Sequence, residues 1–388
     1  MTKLDKLIQE LCPDGVIYRN VSDVAEVSIG EFVHKSKQNP DGKYPVYNGG
    51  TSNTGYYDDY NRTANKIIIS ARGANAGFVN RVFTNYWSGN SCYTVDITDK
   101  NLDWNFAFYW FKSNELSLLG EQQKGGIPAV SKKQVERFRI PVPPLPVQRE
   151  IVRILDNFTE LTAELTAELT ARKKQYAYYR DKLLTHSSET KICKLADVCE
   201  SIADGDHMPP PKADDGIPFI TISNITEQNK INFSNTMFVP SSYYDALADK
   251  RKPHSGDILY TVVGSYGIPV CIEQDTKFVF QRHIAILRPR SEVIKARYMF
   301  HAMQSGAFKA QADKAAKGAA QKTIGLSSLA EMTLPVPNMC IQERLIRVLD
   351  NFDAICTDLS SGLPAEIEAR QKQYEYYRDK LLTFTPAD

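Results

Sequence analysis

The sequence predicts an α+β fold: two mixed globules separated by two long helices that pack as an antiparallel coiled-coil-like pair. Three observations predict it. The chain repeats itself, since "IPVPPLPVQREIVRILDNF" (140–158) returns as "LPVPNMCIQERLIRVLDNF" (334–352), and "ARKKQYAYYRDKLLTH" (171–186) returns as "ARQKQYEYYRDKLLTF" (369–384). Each repeated segment carries a long apolar stripe at helical spacing. The remaining residues hold short β-branched and aromatic runs between Gly, Asn and Asp turns, which read as strands. The expected order is therefore globule 1–146, helix 147–186, globule 187–340, helix 341–388, a pseudo-twofold internal repeat.

The first globule contains "KIIIS" and "SCYTVDI" as strands, then the more helical "NFAFYWFKSNELSLLG" and an amphipathic turn in "GGIPAVSKKQVERFRIPVP". "PVPPLP" stops the following helix from extending backwards, because proline lacks the N–H that an interior turn requires. That helix should run from about Val147 to Leu184, with Ile151, Leu155, Phe158, Leu161, Leu165, Leu169, Tyr176, Tyr179 and Leu183 on one stripe. Its length would be roughly 55 Å at 1.5 Å per residue. "LTAELTAELT" (161–170) within it counts in fours, and each tetrad adds roughly 6 Å while keeping leucine near one face. The first repeated segment is offset by 194 residues (Arg153 to Arg347) and the second by 198 (Arg172 to Arg370), so the copies differ by four residues inside the tetrad-bearing stretch. A device that changes length without changing chemistry reads as a spacer.

In the second globule "IPFITIS", "DILYTVV" and "RHIAILRP" are the strand candidates, followed by "VIKARYMFHAMQSGAFKAQADKAA" and a second amphipathic turn. Val135 aligns there with Leu329, and Phe138 with Met332. Otherwise the two variable regions share little: "NVSDVAEVSIG" weakly resembles "KLADVCESIAD", and "NKIIISARGANAGFV" matches "GDILYTVVGSYGIPV" in pattern. The last helix has Leu345, Leu349, Phe352, Ile355 and Leu359, then Ile367, Tyr374, Tyr377 and Leu381, with Gly362 and Pro364 expected to break it.

Composition narrows the function. With 42% hydrophobic and 24% charged residues the chain is of ordinary globular type, and no apolar run approaches the length of a membrane span. The N-terminus lacks a signal-peptide core, so a cytoplasmic location is expected. Seven scattered cysteines without a C-x-x-C pair argue against a disulfide framework and a structural zinc site. "KGAAQKT" (317–323) lacks the glycine that a phosphate-binding loop needs before its lysine, and no G-x-S-x-G or H-E-x-x-H occurs. The six histidines show no metal-ligand spacing. "DHMPPPK" (206–212) lacks the aromatic that would follow the prolines in an adenine methyltransferase loop. No catalytic residue, metal ligand or cofactor site is expected.

Although net charge is only +1, cations cluster locally, in residues 309–323 and 171–182. Lys and Arg clusters hold phosphates, and Arg, Lys, Asn and Gln on loops read base edges. Candidate DNA-binding residues are Arg72, Asn75, Asn90, Gln123, Lys124, Lys132 and Lys133 in the first globule. In the second they are Lys212, Tyr266, Gln281, Arg282, Lys317, Gln321 and Lys322. Neighbouring Gly73, Gly77, Gly125, Gly126, Gly318 and Ala319 would let backbone approach a phosphate. The ends "RKKQYAYYRDK" and "RQKQYEYYRDK" have two readings: cations stabilising a helix C-terminus, or two equivalent docking sites for two copies of one partner. The candidate partner-binding residues are Arg172, Tyr176, Tyr179, Arg180, Arg370, Tyr374, Tyr377 and Arg378.

The two repeated segments and the variable–shared–variable–shared order resemble the specificity subunit of type I restriction–modification systems. The tetrads resemble the subgroup whose members differ in their number of Thr-Ala-Glu-Leu units. The resemblance implies that each globule is a target-recognition domain reading one half of a split DNA site. It implies shared helices that set the spacing and dock two methyltransferase subunits, which motor-nuclease subunits join. It also implies a non-catalytic chain that binds no cofactor itself, with S-adenosylmethionine, ATP and Mg on the partner subunits. A scaffold whose globules bind protein or glycan is the alternative.

Overall fold

The computed structural model describes residues 2–119, 127–185, 190–205, 210–226, 228–319, 321–358 and 361–387. The chain divides into two compact units. One comprises Met1–Glu164 with Glu368–Asp388, and the other Leu165–Ile367. The division after Glu164 falls inside the tetrad run.

Among the described residues the globule of the first unit has nine strands. These are β1 (Tyr18–Asn20), β2 (Ala25–Ile29), β3 (Tyr44–Tyr47), β4 (Gly55–Tyr57), β5 (Lys66–Ser70), β6 (Val79–Val82), β7 (Trp87–Ser88), β8 (Cys92–Ile97) and β9 (Arg139–Pro141). They form a four-stranded sheet in the order β2-β8-β5-β6, a three-stranded sheet β4-β3-β7, and the pair β1-β9. Helices α1 (Lys3–Leu11), α2 (Val21–Val24), α3 (Trp104–Ser113), α4 (Glu115–Leu119) and α5 (Lys132–Arg137) precede the long α6 (Leu145–Leu184). The centre of β5, residues 67–69, is apolar because both its faces are covered. Ile67 and Ile69 enter the main core with Val95, Phe106, Val135, Ile151 and Leu155, while Ile68 enters a smaller cluster with Val82, Tyr86 and Cys92.

The globule of the second unit contains β10 (Lys191–Lys194), β11 (Cys199–Asp204), β12 (Ile217–Ile220), β13 (Met237–Val239), β14 (Ile258–Thr261), β15 (Pro269–Cys271), β16 (Val279–Phe280), β17 (Ile284–Pro289) and β18 (Thr333–Val336). Its helices are α7 (Leu195–Val198), α8 (Ser241–Ala246), α9 (Ala296–Met303), α10 (Gly306–Ala315) and α11 (Leu326–Ala330), followed by α12 (Met339–Thr357) and α13 (Leu363–Leu382). The sheets β11-β17-β14-β15, β13-β12-β16 and β10-β18 reproduce the first globule strand for strand. Even the mixed sheet agrees, since β3 and β12 each pair antiparallel with the next strand and parallel with β7 or β16. The variable regions are thus two copies of one fold, where sequence comparison showed only two weakly matching segments.

Helix α6 starts at Leu145, two residues before the expected Val147, because Pro146 is tolerated in the first turn. In the first unit its Ile151 and Leu155 are fully buried and Phe158 stacks on Tyr377 of α13 at 5.6 Å. In the second unit Tyr176 and Tyr179 stack on Phe352 of α12, and Arg172 and Lys173 lie near Cys356. That order runs α6 and α12 antiparallel. The break at Gly362 and Pro364 is present: α12 ends at Thr357, and α13 begins at Leu363 with Pro364 in its first turn.

Candidate nucleic-acid interface

In the first unit three loop segments are tied by backbone hydrogen bonds at the C-terminal end of β5. Ala71 N donates to Ser91 O (2.8 Å), Val130 N to Ala71 O (2.8 Å) and Gly73 N to Pro128 O (2.9 Å). In the second unit Val262 N donates to His283 O (2.9 Å), Ile324 N to Val262 O (2.8 Å) and Gly264 N to Lys322 O (2.9 Å). The two knots are the same bonds at equivalent positions. Gly73 and Gly264 have φ of +88° and +72°, a conformation that costs glycine nothing and strains other residues.

The knot gathers most of the expected DNA-binding residues. Arg72 and Asn75 are exposed on the β5–β6 loop, and Asn90 adjoins Ser91. Lys132 and Lys133 open α5, whose N-cap Ser131 accepts from Gln134 N. In the second unit Lys317 exchanges two backbone bonds with Thr323, which places it beside Gln321 and Lys322. Gln281 and Arg282 precede the knot residue His283, and Tyr266 Oη donates to Asp313 at 3.0 Å. That bond pushes the Tyr266 phenol pKa up, so the ring keeps its proton. Lys212 stands apart, next to Ala213, which bridges to Phe238 of β13. Gln123, Lys124, Gly125 and Gly126 lie outside the described residues.

The residues expected to bind partners divide by face. Tyr176 is only 6% exposed; its hydroxyl meets His301 Nδ1 at 2.8 Å, so it is part of the interior of its unit and not of a docking surface. Tyr374 packs against the first core, Tyr179 and Tyr377 stack on Phe352 and Phe158 yet stay exposed, and Arg180 lies over the Tyr176 ring. Arg172 and Arg370 hold Gln175 and Gln373 at 3.1 and 3.0 Å in equivalent fashion, and Arg378 pairs with Asp379 at 2.7 Å. The most exposed tyrosines of the two segments are Tyr178 (61%) and Tyr376 (62%), which sequence reasoning passed over. Both lie off the apolar stripe, and that was the available signal.

Two further residues were not foreseen. Gln148 and Gln342, at matching places in α6 and α12, are fully buried. Each uses its whole amide. Gln148 accepts from Asp103 N (2.7 Å) and donates to Asn101 O and Pro143 O (2.7 and 2.6 Å). Gln342 accepts from Lys295 N (2.9 Å) and donates to Val293 O and Pro337 O (3.1 and 2.8 Å).

Among the described residues no group of three or more His, Cys, Asp or Glu could hold a metal ion. Burial pushes the thiols of Cys92 and Cys199 up to about 12, far from nucleophilic use. Among the described residues no helix is long and apolar enough to cross a membrane.

One globule fold is thus duplicated, and each copy presents the same loop knot beside a long helix. Comparison with known proteins gives the family. Residues 13–172 and 187–369 match the type I restriction modification DNA specificity domain, and the chain belongs to that family, whose specificity subunits are non-catalytic and serve DNA sequence recognition. The EcoR124I/EcoR124II specificity subunit of Escherichia coli is 31% identical over 308 residues, covering 72% of this chain and 70% of that protein. A putative type I specificity subunit of Haemophilus influenzae is 28% identical over 403 residues and 99% of each chain. The specificity subunit structure from M. genitalium shares the fold, with a TM-score of 0.60 at 19% identity, over 95% of this chain and 96% of that one.

Proposed function

We propose that this chain reads a bipartite double-stranded DNA site, one half per globule, within a type I restriction–modification complex in the cytoplasm. The observation that supports this most is the duplicated knot. The same backbone bonds recur in both units, while the side chains they carry differ: Arg72, Asn75 and Asn90 in one, Gln281, Arg282, Gln321 and Lys322 in the other. One scaffold bearing two sets of base-reading groups suits two different half-sites. The paired helices dock two methyltransferase subunits, with Tyr178 and Tyr376 as equivalent exposed contacts, and motor-nuclease subunits join through that core. Adenine methylation and cleavage are carried out by those partners, which hold S-adenosylmethionine, ATP and Mg. The tetrads support a place in the subgroup that varies Thr-Ala-Glu-Leu repeats, with the tetrads as its spacer.

The test is the map of modified adenines in DNA from cells expressing the chain with its methyltransferase partner. Two short fixed sequences separated by a constant number of unspecified bases are expected. Arg72→Ala with Asn75→Ala should relax or abolish one half only, and Gln321→Ala with Lys322→Ala the other only. A single continuous site, or both halves changing together, overturns the reading. Absence of any sequence preference would favour the protein- or glycan-binding scaffold.

A further inference from the structure

Each long helix is fastened to its own globule at two points, and the second point is an aspartate. In the first unit Asp156, eight residues after Gln148, accepts from Tyr109 Oη at 2.6 Å and from Arg81 Nη2 at 3.0 Å. Arg81 is itself held by Asn105 Oδ1 at 2.9 Å and lies over the rings of Phe108 and Tyr109. In the second unit Asp350, eight residues after Gln342, meets His301 Nε2 at 2.7 Å and accepts from Arg297 Nε at 2.6 Å. Arg297 also donates to Asp353 at 2.8 Å, and His301 reaches Tyr176 on its other side.

The arrangement is the same in both units although the groups are not. The glutamine grips the start of α3 or α9, at Asp103 or Lys295. The aspartate grips the same helix six residues on, at Tyr109 or His301. The buried Ile151, Leu155 and Leu349 seat the helices sideways, but apolar contact is non-directional and one polar fastening sets direction at one point only. A second, about 12 Å further along a helix that rises 1.5 Å per residue, fixes the angle. Asp156 and Asp350 are partly exposed, so neither fills a core position. Their bonds define direction rather than supply burial.

We infer that Asp156 and Asp350 are positioning residues that hold each reader at a fixed angle on its helix, and thereby restrict the complex to one gap between half-sites. The inference rests on the bipartite reading. Adjacent base pairs differ by roughly 34–36° of rotation and about 3.4 Å of rise, since 10–10.5 pairs make a turn of about 34–36 Å. A reader that swivels through a fraction of that angle no longer distinguishes a gap from one that is a base pair longer or shorter.

The test uses the chain in complex with its methyltransferase partner, carrying Asp156→Asn or Asp350→Asn, and reads modified adenines across the genome. Both half-site sequences should persist. Methylation at gaps one base pair longer or shorter should rise at least about tenfold relative to the parent, and the thermal midpoint should shift little. If Asp350→Asn does not assemble, Tyr109→Phe removes one bond to Asp156, His301→Gln disturbs the bond to Asp350 together with that to Tyr176, and both carry the same expectation. A gap distribution as narrow as the parent's in folded variants overturns the inference. If the parent itself shows no bipartite site, it is the underlying reading that has failed.

Discussion

Glu150 shows how one side chain reports on the seat of a long helix. It is 4% exposed near the start of α6 and accepts from Arg153 Nη2 and Lys3 Nζ, both at 2.7 Å. Arg153 first, and Lys3 second, hold its carboxyl down at about 2. Its unfolded value is near 4.5, so its contribution to stability is complete above that pH and is lost as pH falls toward 2. Glu150→Gln should lower the unfolding free energy at pH 7 by about 1–2 kcal/mol, at the low end for charged hydrogen bonds because Lys3 and Arg153 return to water. Thermal melts of the full chain should show the difference shrinking as pH drops toward 2. A constant difference would place the effect in packing instead. At this scale the sequence was legible where polarity and pattern agreed and misleading where they did not. Tyr176 sits in the apolar stripe and is buried, whereas its basic, tyrosine-rich surroundings suggested a docking face. Gln148 and Gln342 repeat in register, but nothing about glutamine in a helix announces full burial.

Elements were more legible than residues. The stripe of α6, the correspondence of Val135 with Leu329 as buried positions of the two copies, and the break before α13 follow from spacing and from proline and glycine chemistry. Hidden from the sequence was that both variable regions share a sheet topology. Backbone bonds define it, and the side chains preserve geometry without preserving identity. Lys66 on β5 pairs with Asp96 on β8 at 2.6 Å, and the equivalent positions hold Asp257 and Arg288 at 3.1 Å. The ion pair stays in place with its polarity reversed, which sequence alignment scores as two mismatches. The break also makes a quantitative expectation. A Cβ on Gly362 would lie 2.6 Å from Ala354 O and 2.7 Å from Asp358 O, both backbone atoms that cannot swing aside. Gly362→Ala should therefore destabilise the chain by about 1–3 kcal/mol, as overpacking does, exceeding the roughly 0.4–1 kcal/mol gained by stiffening the unfolded chain. Urea unfolding of the two proteins measures the sign directly.

For the whole molecule, the tetrads are positioned to vary length at little structural cost. Leu161 is 37% exposed and Leu165 and Leu169 are half-buried, while Ile151 and Leu155 are sealed in the first core. Thr162 and Thr170 bond back to Phe158 O and Thr166 O within the helix, so a tetrad satisfies its own polar groups. Removing residues 162–165 deletes little buried surface. It shortens α6 by about 6 Å and turns the remainder of the helix by about 40°. On DNA that corresponds to roughly one or two base pairs, given about 34–36 Å per 10–10.5 pairs. The modified-adenine map of the deletion variant should show both half-sites unchanged and the gap shorter by that amount. A map with the parental gap would sink the spacer role. The outcome also separates two ways of controlling distance. Loss of Asp156 or Asp350 should broaden the distribution of gaps around the parental value, whereas loss of a tetrad should move a narrow distribution to a new one. Those two outcomes together would assign the position of the second reader to helix length and its firmness to the carboxylate fastenings.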